Sequence, residues 1–215
     1  MTTTDTSTVR APYHHGDLRQ ALLAAGVELA RGGGPDAVVL REATRRVGVS
    51  PNAAYRHFTD REALLAAVCE AAQAMVAVAI EAEFETVPPG DAGEVARGHL
   101  RAVGTAYVHF ALDEPGLFRT AFFVTTDLSG ALSPTRAGES GRTPFELLSF
   151  ALDELVACGQ MPAKRRPGAE FLAWSCVHGL ALLLITGPLR ALPREQAELL
   201  IARTVEMAID GLTAR

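Results

Sequence analysis

The sequence predicts an all-α fold of about nine helices, and three observations support this prediction. Alanine is abundant and β-branched residues rarely cluster, which favours helix over strand. Apolar residues recur at intervals of three and four, and breaks rich in Gly and Pro separate the periodic segments. No stretch alternates as a strand does. With 215 residues, 48% of them hydrophobic, the chain is long enough to bury a core in one large domain or two small ones.

The first helix is predicted to follow a flexible arm of residues 1–16, which lacks the apolar segment of a secretory signal. Asp17 is a suitable N-cap, and Gln20 completes a capping-box pattern. The triple glycine and Pro35 are predicted to end this helix. Its apolar stripe consists of Leu18, Leu22, Ala25 and Leu29.

Two short helices come next. The first is predicted from Leu40 to Val47, and Gly48 ends it in the left-handed conformation. Ser50 is a strong N-cap and Pro51 suits a first helical position, so a third helix is predicted from Pro51 to about Phe58. Two short helices joined by a tight turn are typical of a helix-turn-helix, whose second helix enters the major groove of DNA.

The remaining helices form the larger part of the chain. Thr59 to Glu62 reads as a capping box that opens a long fourth helix, which ends before Pro88. Residues 125–143, rich in Gly, Ser, Thr and Pro, are predicted to form a mobile loop. The other predicted helices are a fifth around Ala96–Phe110, a sixth over Leu117–Val124, a seventh around Phe145–Leu155, an eighth over Pro167–Thr186 and a ninth over Arg194–Leu212.

Charge is distributed unevenly along the chain. The net charge is −5, yet residues 1–65 hold eight arginines against seven acidic residues, whereas residues 66–215 hold 12 basic and 18 acidic residues. The three cysteines are widely spaced, so a disulfide framework is not expected and a cytoplasmic location fits better. Residues 171–189 lack charge but contain Ser175, His178 and Thr186, which favours a buried helix of a soluble protein over a membrane span.

Enzyme signatures are missing from the sequence. It has no G-x-S-x-G, H-E-x-x-H, phosphate-loop or dinucleotide fingerprint. Cys176 and His178 diverge by roughly 200° on a helix and cannot act as a nucleophile–base pair. His14 and His15 lack a third metal ligand, and the cysteines show no zinc spacing. We therefore predict no catalytic residue, no metal and no cofactor.

One resemblance gives these patterns a more specific meaning. The segments Leu40–Ala43, Gly48–Pro51 and Tyr55–Leu65 resemble the DNA-binding segment of the tetracycline-repressor (TetR) family, in a match that covers Leu18–Val68. Trp174–Gly179 resembles the Trp-x-x-x-His-Gly signature of one C-terminal ligand-domain type in that family. Tyr13–Arg19 also resembles the lead-in of that branch, and Asp113–Arg119 resembles the usual break before the sixth helix of the family. Departures from the family pattern are Val39 for a capping Ser or Thr, Thr44 for Ala, and Arg61 for Lys.

The resemblance implies a homodimeric transcriptional regulator, usually a repressor, that binds a palindromic double-stranded DNA operator. A small, mainly apolar effector would release it, and the eighth and ninth helices would form the dimer. No membrane partner is expected. The implied division is an arm at 1–16, a helix-turn-helix DNA-binding domain at 17–62, and a ligand-binding and dimerisation domain at 63–215. The alternative is a helical small-molecule-binding protein or enzyme that reuses the scaffold without binding DNA.

The residues predicted to contact DNA divide into those that hold phosphates and those that read bases. Family position suggests phosphate contacts for Arg41, Tyr55, His57 and Arg61, and Ser50 begins a helix whose N–H groups face a phosphate. Base contacts are predicted near Pro51, from Asn52 to adenine, from Ala53 to a thymine methyl group and from Arg56 to guanine or a phosphate. The alternatives are a solvated charge for Arg56 and a core aromatic for Tyr55. Arg10 in the arm is either a minor-groove contact or part of a free tail.

The residues predicted to line a ligand pocket are mostly aromatic: His99, Tyr107, Phe110, Phe118, Phe122, Trp174 and His178. Ligand pockets are mainly apolar with a few placed polar groups, so pocket and core look alike in sequence. Ordinary packing is the alternative for each of these residues. Trp174 and His178 share a helix face at i, i+4 spacing, so the two also have the option of packing on each other.

Overall fold

A computed structural model describes residues 15–123 and 130–214, with side chains from residue 18 onward. The predicted arm with Arg10 and His14, the cap side chain of Asp17, and loop residues 125–129 lie outside this description. The described residues are all-α and contain no strand. The helices are α1 His15–Gly33, α2 Leu40–Val47, α3 Pro51–Tyr55, α4 Arg61–Phe84, α5 Ala92–Asp113, α6 Pro115–Phe123, α7 Pro144–Ala157, α8 Ala169–Ile185 and α9 Arg194–Thr213.

The described residues contain all nine predicted helices, with small shifts at several ends, and three of these shifts concern predicted caps and stops. α1 already begins at His15, so the predicted start at Asp17 is wrong. α3 ends at Tyr55 rather than Phe58, because the backbone N–H groups of His57 and Phe58 both bond back to the Ala54 carbonyl and close the chain into a turn. The cap of α4 is Asp60 rather than Thr59: its carboxylate accepts from the Ala63 N–H at 2.7 Å.

The structure has two N-terminal capping boxes that the sequence analysis does not predict. Asp91 and Glu94 form a complete capping box at the start of α5. Thr143 and Glu146 form another at the start of α7, where Pro144 occupies the first turn. Each pair supplies reciprocal side-chain acceptors for N–H groups that have no partner inside the helix. These capping boxes therefore define the first residues of α5 and α7.

The molecule has two apolar cores. The first is built by α1, α2, α3 and the N-terminal half of α4, and the second by the C-terminal half of α4 with α5, α7, α8 and α9. α6 contributes to both, since Leu117 and Ala121 belong to the first core and Phe118 belongs to the second. The cores meet within α4, between Ala72 and Val76. α4 and α6 are thus the helices that the two parts of the fold share.

One described helix, α4, is long and apolar enough to cross a membrane by length and composition, and half of its most apolar stretch is buried in the fold. Its position in both cores explains that composition. α8, predicted to be a buried helix, has 17 residues and is buried on one side only, since Ala173 and Val177 are buried while Leu172 is 64% exposed.

Candidate DNA-binding face and ligand cavity

The helix α3, the second helix of the predicted helix-turn-helix and thus its candidate recognition helix, is held by contacts on one side and open on the other. Gly48 ends α2 with φ 75°, a conformation that glycine adopts without strain. Ser50 then caps α3 by accepting from the Ala53 N–H at 3.3 Å. Ala54 and Phe58 are buried and anchor the helix, and Arg19 lies over the Phe58 ring at 5.2 Å.

The outer side of α3 carries the residues that sequence analysis assigned to base and phosphate contacts. Pro51, Asn52 and Arg56 are exposed, and Tyr55 is 54% exposed, which does not fit its alternative as a core aromatic. Ala53 and His57 are half-buried at the edges of this face. Ser50 is exposed at its N-terminal end. The structure therefore brings these side chains together on one accessible surface.

The flanking arginines have different environments. Arg41 is exposed in the first turn of α2. Arg45 donates to the Glu42 carboxylate, and this bond, reinforced by Arg46, lowers the pKa of Glu42 to about 2. Arg61 instead donates to the carbonyl oxygens of Val38 at 2.9 Å and Pro35 at 2.8 Å. Its guanidinium thus ties α4 to the connection between α1 and α2.

Two family departures have visible consequences. Val39 occupies the N-cap position of α2 and provides no side-chain cap, so that helix begins without one. Thr44 is buried, and its hydroxyl donates to the Arg41 carbonyl at 2.7 Å. The polar atom introduced at this position is therefore satisfied within the helix.

The C-terminal bundle contains a partly open cavity of about 300 Å³, bounded mainly by α4, α5, α7, α8 and α9. Its wall is largely apolar, and Tyr107, Phe122 and Trp174 are the predicted pocket residues that line it. Gln73 and Arg136 add polar groups that the sequence analysis did not single out. Gln73 could have been found from the sequence, because it is a polar residue on the apolar face of α4. Arg136 could not, because it lies in a segment without helical periodicity.

A hydrogen-bonded chain connects three of the predicted residues. The Trp174 indole N–H donates to the Tyr107 hydroxyl at 2.9 Å, and that hydroxyl lies 2.8 Å from Nδ1 of His178. Because the indole is only a donor, the Tyr107 hydroxyl accepts from it, and its own O–H donates to Nδ1 of His178 in the tautomer that carries the proton on Nε2. Burial lowers the pKa of His178 and raises that of Tyr107, so both side chains are neutral near pH 7.

The other predicted pocket residues lie outside the cavity lining. His99 stacks on Phe84 with ring centroids 4.6 Å apart, and its Nδ1 is 2.6 Å from the Glu154 carboxylate. Phe118 is completely buried and meets the Tyr107 ring edge-on. Phe110 packs against both cores. His178 stands behind Tyr107 and also packs on Trp174, with ring centroids 5.6 Å apart.

The architecture defines a class of protein: a helical DNA-binding regulator, with a helix-turn-helix whose recognition helix faces outward and a separate hollow bundle. Comparison with known families agrees. Residues 22–68 match the family model described as bacterial regulatory proteins, tetR family. Residues 100–208, about half of the chain, match the model of the tetracyclin repressor-like C-terminal domain. The chain belongs to the TetR family of transcriptional regulators.

Solved structures with the same fold cover almost the whole chain. A protein of unknown function from Rhodococcus sp. RHA1 is 29% identical over 95% of this chain and 100% of its own, with a TM-score of 0.74. A TetR-family regulator from Pectobacterium atrosepticum is 24% identical over 96% and 99%, with a TM-score of 0.60. A tetR-family regulatory protein from Rhodococcus RHA1 is 20% identical over 92% and 98%, with a TM-score of 0.59. No curated protein matches the sequence significantly.

Proposed function

We propose that the protein is a cytoplasmic repressor that binds a palindromic DNA operator as a homodimer and is released when a small molecule occupies its cavity. The observation that carries this proposal is the two-sided character of α3. Ala54 is fully buried, whereas Asn52 and Arg56 are exposed on the opposite side. A short helix anchored in this way presents polar side chains to a major groove.

In the proposed complex, positioning and reading are divided among the exposed residues. Arg41, Tyr55 and His57 hold phosphates, and the Asn52 N–H in the first turn of α3 faces another phosphate. Asn52, Ala53 and Arg56 reach base edges from the helix that Pro51 begins. Arg61 contributes mainly by fixing the connection before α2, because its guanidinium already donates to two carbonyl oxygens.

The proposed dimer interface is an apolar surface on α8 and α9. Its exposed side chains are Phe171, Leu172, Leu183, Leu199 and Met207. Gly179 lies on the exposed side of α8, and a Cβ there would meet nothing within 4 Å in one protomer. Exposed apolar side chains concentrated on two neighbouring helices are typical of an association site, and a two-fold pair buries the same surface on both copies.

The cavity and the DNA-binding unit are connected through α6. Phe122 lines the cavity, and the buried Gln73 amide donates to the Ala121 carbonyl at 2.7 Å. At the other end of α6, Gly116 lies directly against the carbonyl oxygens at the end of α1. Displacement of Phe122 by an occupant is therefore passed to α1 and to the helix-turn-helix that α1 supports.

The proposed release is a shift between two arrangements of the dimer. An occupant that prefers the arrangement with mis-spaced recognition helices weakens DNA binding. Each tenfold loss of DNA affinity needs about 1.4 kcal/mol of differential binding. By linkage, bound DNA lowers the affinity of the protein for the occupant by the same factor.

Selection of duplexes from a random library with the full chain tests DNA recognition. We expect an enriched sequence with two-fold symmetry, and an affinity that falls steeply with salt because phosphate neutralisation releases counterions. An Asn52→Ala variant should relax preference at one symmetric pair of positions. Failure to enrich any duplex, with the fold intact, would favour the alternative of a scaffold that no longer binds DNA.

A further inference from the structure

The ligand cavity carries a positive charge that no described residue neutralises. Arg136 reaches the cavity wall from the 3₁₀ turn Pro134–Arg136. Its Nε is completely buried and has no hydrogen-bond partner. Across residues 15–123 and 130–214 its guanidinium forms no ion pair with a carboxylate. Arg136 therefore brings a positive charge and a planar set of N–H donors to the cavity wall.

The acidic residue that α4 presents to this segment is already engaged. The Glu81 carboxylate accepts from the backbone N–H groups of Glu139 at 2.8 Å and Ser140 at 3.0 Å, and from the Ser140 hydroxyl at 2.5 Å. Glu81 thus holds the turn that follows Arg136 without pairing with the guanidinium. On its other side the guanidinium packs against Gly130, where a Cβ would collide with it. The position of Arg136 is therefore defined by its surroundings.

Among the described lining residues Arg136 is the one charged side chain, and the hydrogen-bond donors of the other polar groups are already engaged. The Gln73 amide nitrogen is used by the Ala121 carbonyl. The Tyr107 hydroxyl is used by Trp174 and His178. The described lining contains no Asp or Glu. A buried Nε without a partner is costly, and a carboxylate matches the planar fork of the guanidinium with two hydrogen bonds.

We propose that the cavity binds a small amphipathic organic acid, with its carboxylate on Arg136 and its hydrocarbon body against Phe122, Leu148 and Trp174. This inference rests on the proposed function, because it names the chemical class of the effector for that same site. An amine of the same length meets a like charge, and an alcohol provides only one weak partner. The cavity therefore selects by charge as well as by shape.

A fluorescence titration tests the proposal without DNA. Trp174 is the only tryptophan in the chain and lines the cavity, so its emission reports occupancy. The full chain is titrated with decanoate, 1-decanol and decylamine in one buffer at pH 7.5. We expect decanoate to bind about tenfold or more tighter than 1-decanol, as for a desolvated charge-assisted bond, and decylamine to bind weakest.

Three variants assign the preference to one side chain. Arg136→Gln should weaken decanoate about tenfold or more and leave 1-decanol within about twofold. Arg136→Lys should have a decanoate affinity between those of the original chain and Arg136→Gln, because it keeps the charge but loses the planar pair of donors. Arg190→Gln is the matched control, since it removes an exposed arginine outside the cavity lining and should keep the full preference. Circular dichroism verifies the fold of each variant.

The proposal is overturned if decanoate and 1-decanol bind equally, if decanoate does not bind, or if folded Arg136→Gln keeps the preference. A separate displacement assay on the selected duplex distinguishes the two hypotheses. If decanoate binds through Arg136 but does not release DNA, the acid site stands and the effector role fails. If 1-decanol releases DNA and decanoate does not, the ligand-responsive function stands and the acid preference fails.

Discussion

The two halves of the molecule differ in where their candidate functional polar groups lie: on the outer surface in the N-terminal half, and at an internal cavity in the C-terminal half. The N-terminal unit packs Ala54 and Phe58 inward and exposes Asn52 and Arg56. The C-terminal bundle leaves about 300 Å³ empty and directs polar groups such as Arg136 inward. In the proposed function, the N-terminal half contacts DNA through its outer face and the C-terminal half holds a small molecule inside. Because α4 and α6 belong to both cores, changes in these helices should affect both halves, and changes elsewhere should affect one.

The largest effect is expected at the joint between the halves. Gly116→Ala should destabilise the protein by about 2 kcal/mol or more, because the new Cβ would collide with the carbonyl oxygens of Ala30 and Arg31. Urea unfolding measures the loss. Gly32→Ala, where a Cβ meets nothing within 4 Å, is the control and should be neutral or slightly stabilising. Equal stability of both variants would show that α6 does not press on α1.

The second effect should be confined to the N-terminal half. Tyr55→Phe combined with His57→Ala should lower the affinity for every duplex by a similar factor, about tenfold, because phosphate contacts carry no base information. Fluorescence anisotropy on the selected duplex and its single-position variants measures this. Decanoate binding, read from Trp174, should not change. A loss restricted to one base-pair position would contradict the phosphate role.

The third effect concerns the outer surface of the C-terminal half. Gly179→Leu should weaken the dimer about tenfold or more, since a large side chain would stand where two α8 helices approach. Sedimentation velocity across a concentration series measures the dimer, and Ala157→Leu on exposed α7 surface is the control. An unaltered dimer for Gly179→Leu would move the interface away from this face.

The smallest effect is a pH dependence inside the C-terminal core. Burial lowers the pKa of His178 below its usual 6.5, so the unfolded chain takes up the proton first as pH falls. The stability that this residue contributes is complete above about pH 6.5 and declines below it. His178→Gln should remove part of the loss measured by urea unfolding between pH 7.5 and 5.5, by less than about 1.4 kcal/mol. An identical pH profile in the variant would mean that His178 does not titrate differently on folding.

The sequence predicts the N-terminal half more closely than the C-terminal half. α2 has the predicted ends. Leu40 begins it as a buried residue of its apolar face, and Gly48 ends it in the left-handed conformation. The predicted start of α4 is one residue too early, because Thr59 and Asp60 both suit an N-cap and only the turn after α3 selects Asp60. The local chemistry of caps and turns is encoded over a few residues, so one sequence suffices to find most of it.

The cavity is less predictable for a physical reason. An inward-facing aromatic has the same periodicity whether it meets a neighbour, as Phe118 does, or an empty volume, as Phe122 does. That difference depends on whether helices from distant parts of the chain leave a gap. Arg136 comes from a segment without periodicity, so its approach to the cavity depends on the turn that Glu81 holds. Long-range packing of this kind cannot be deduced from one sequence.

The most direct test of recognition by a symmetric pair is a hydroxyl-radical footprint of the full chain on the selected duplex, with sedimentation velocity of the complex. We predict two protected half-sites about one helical turn, or a multiple of it, apart, with at least two protomers on each duplex. One unsymmetrical protected patch with a single protomer per duplex would contradict the account.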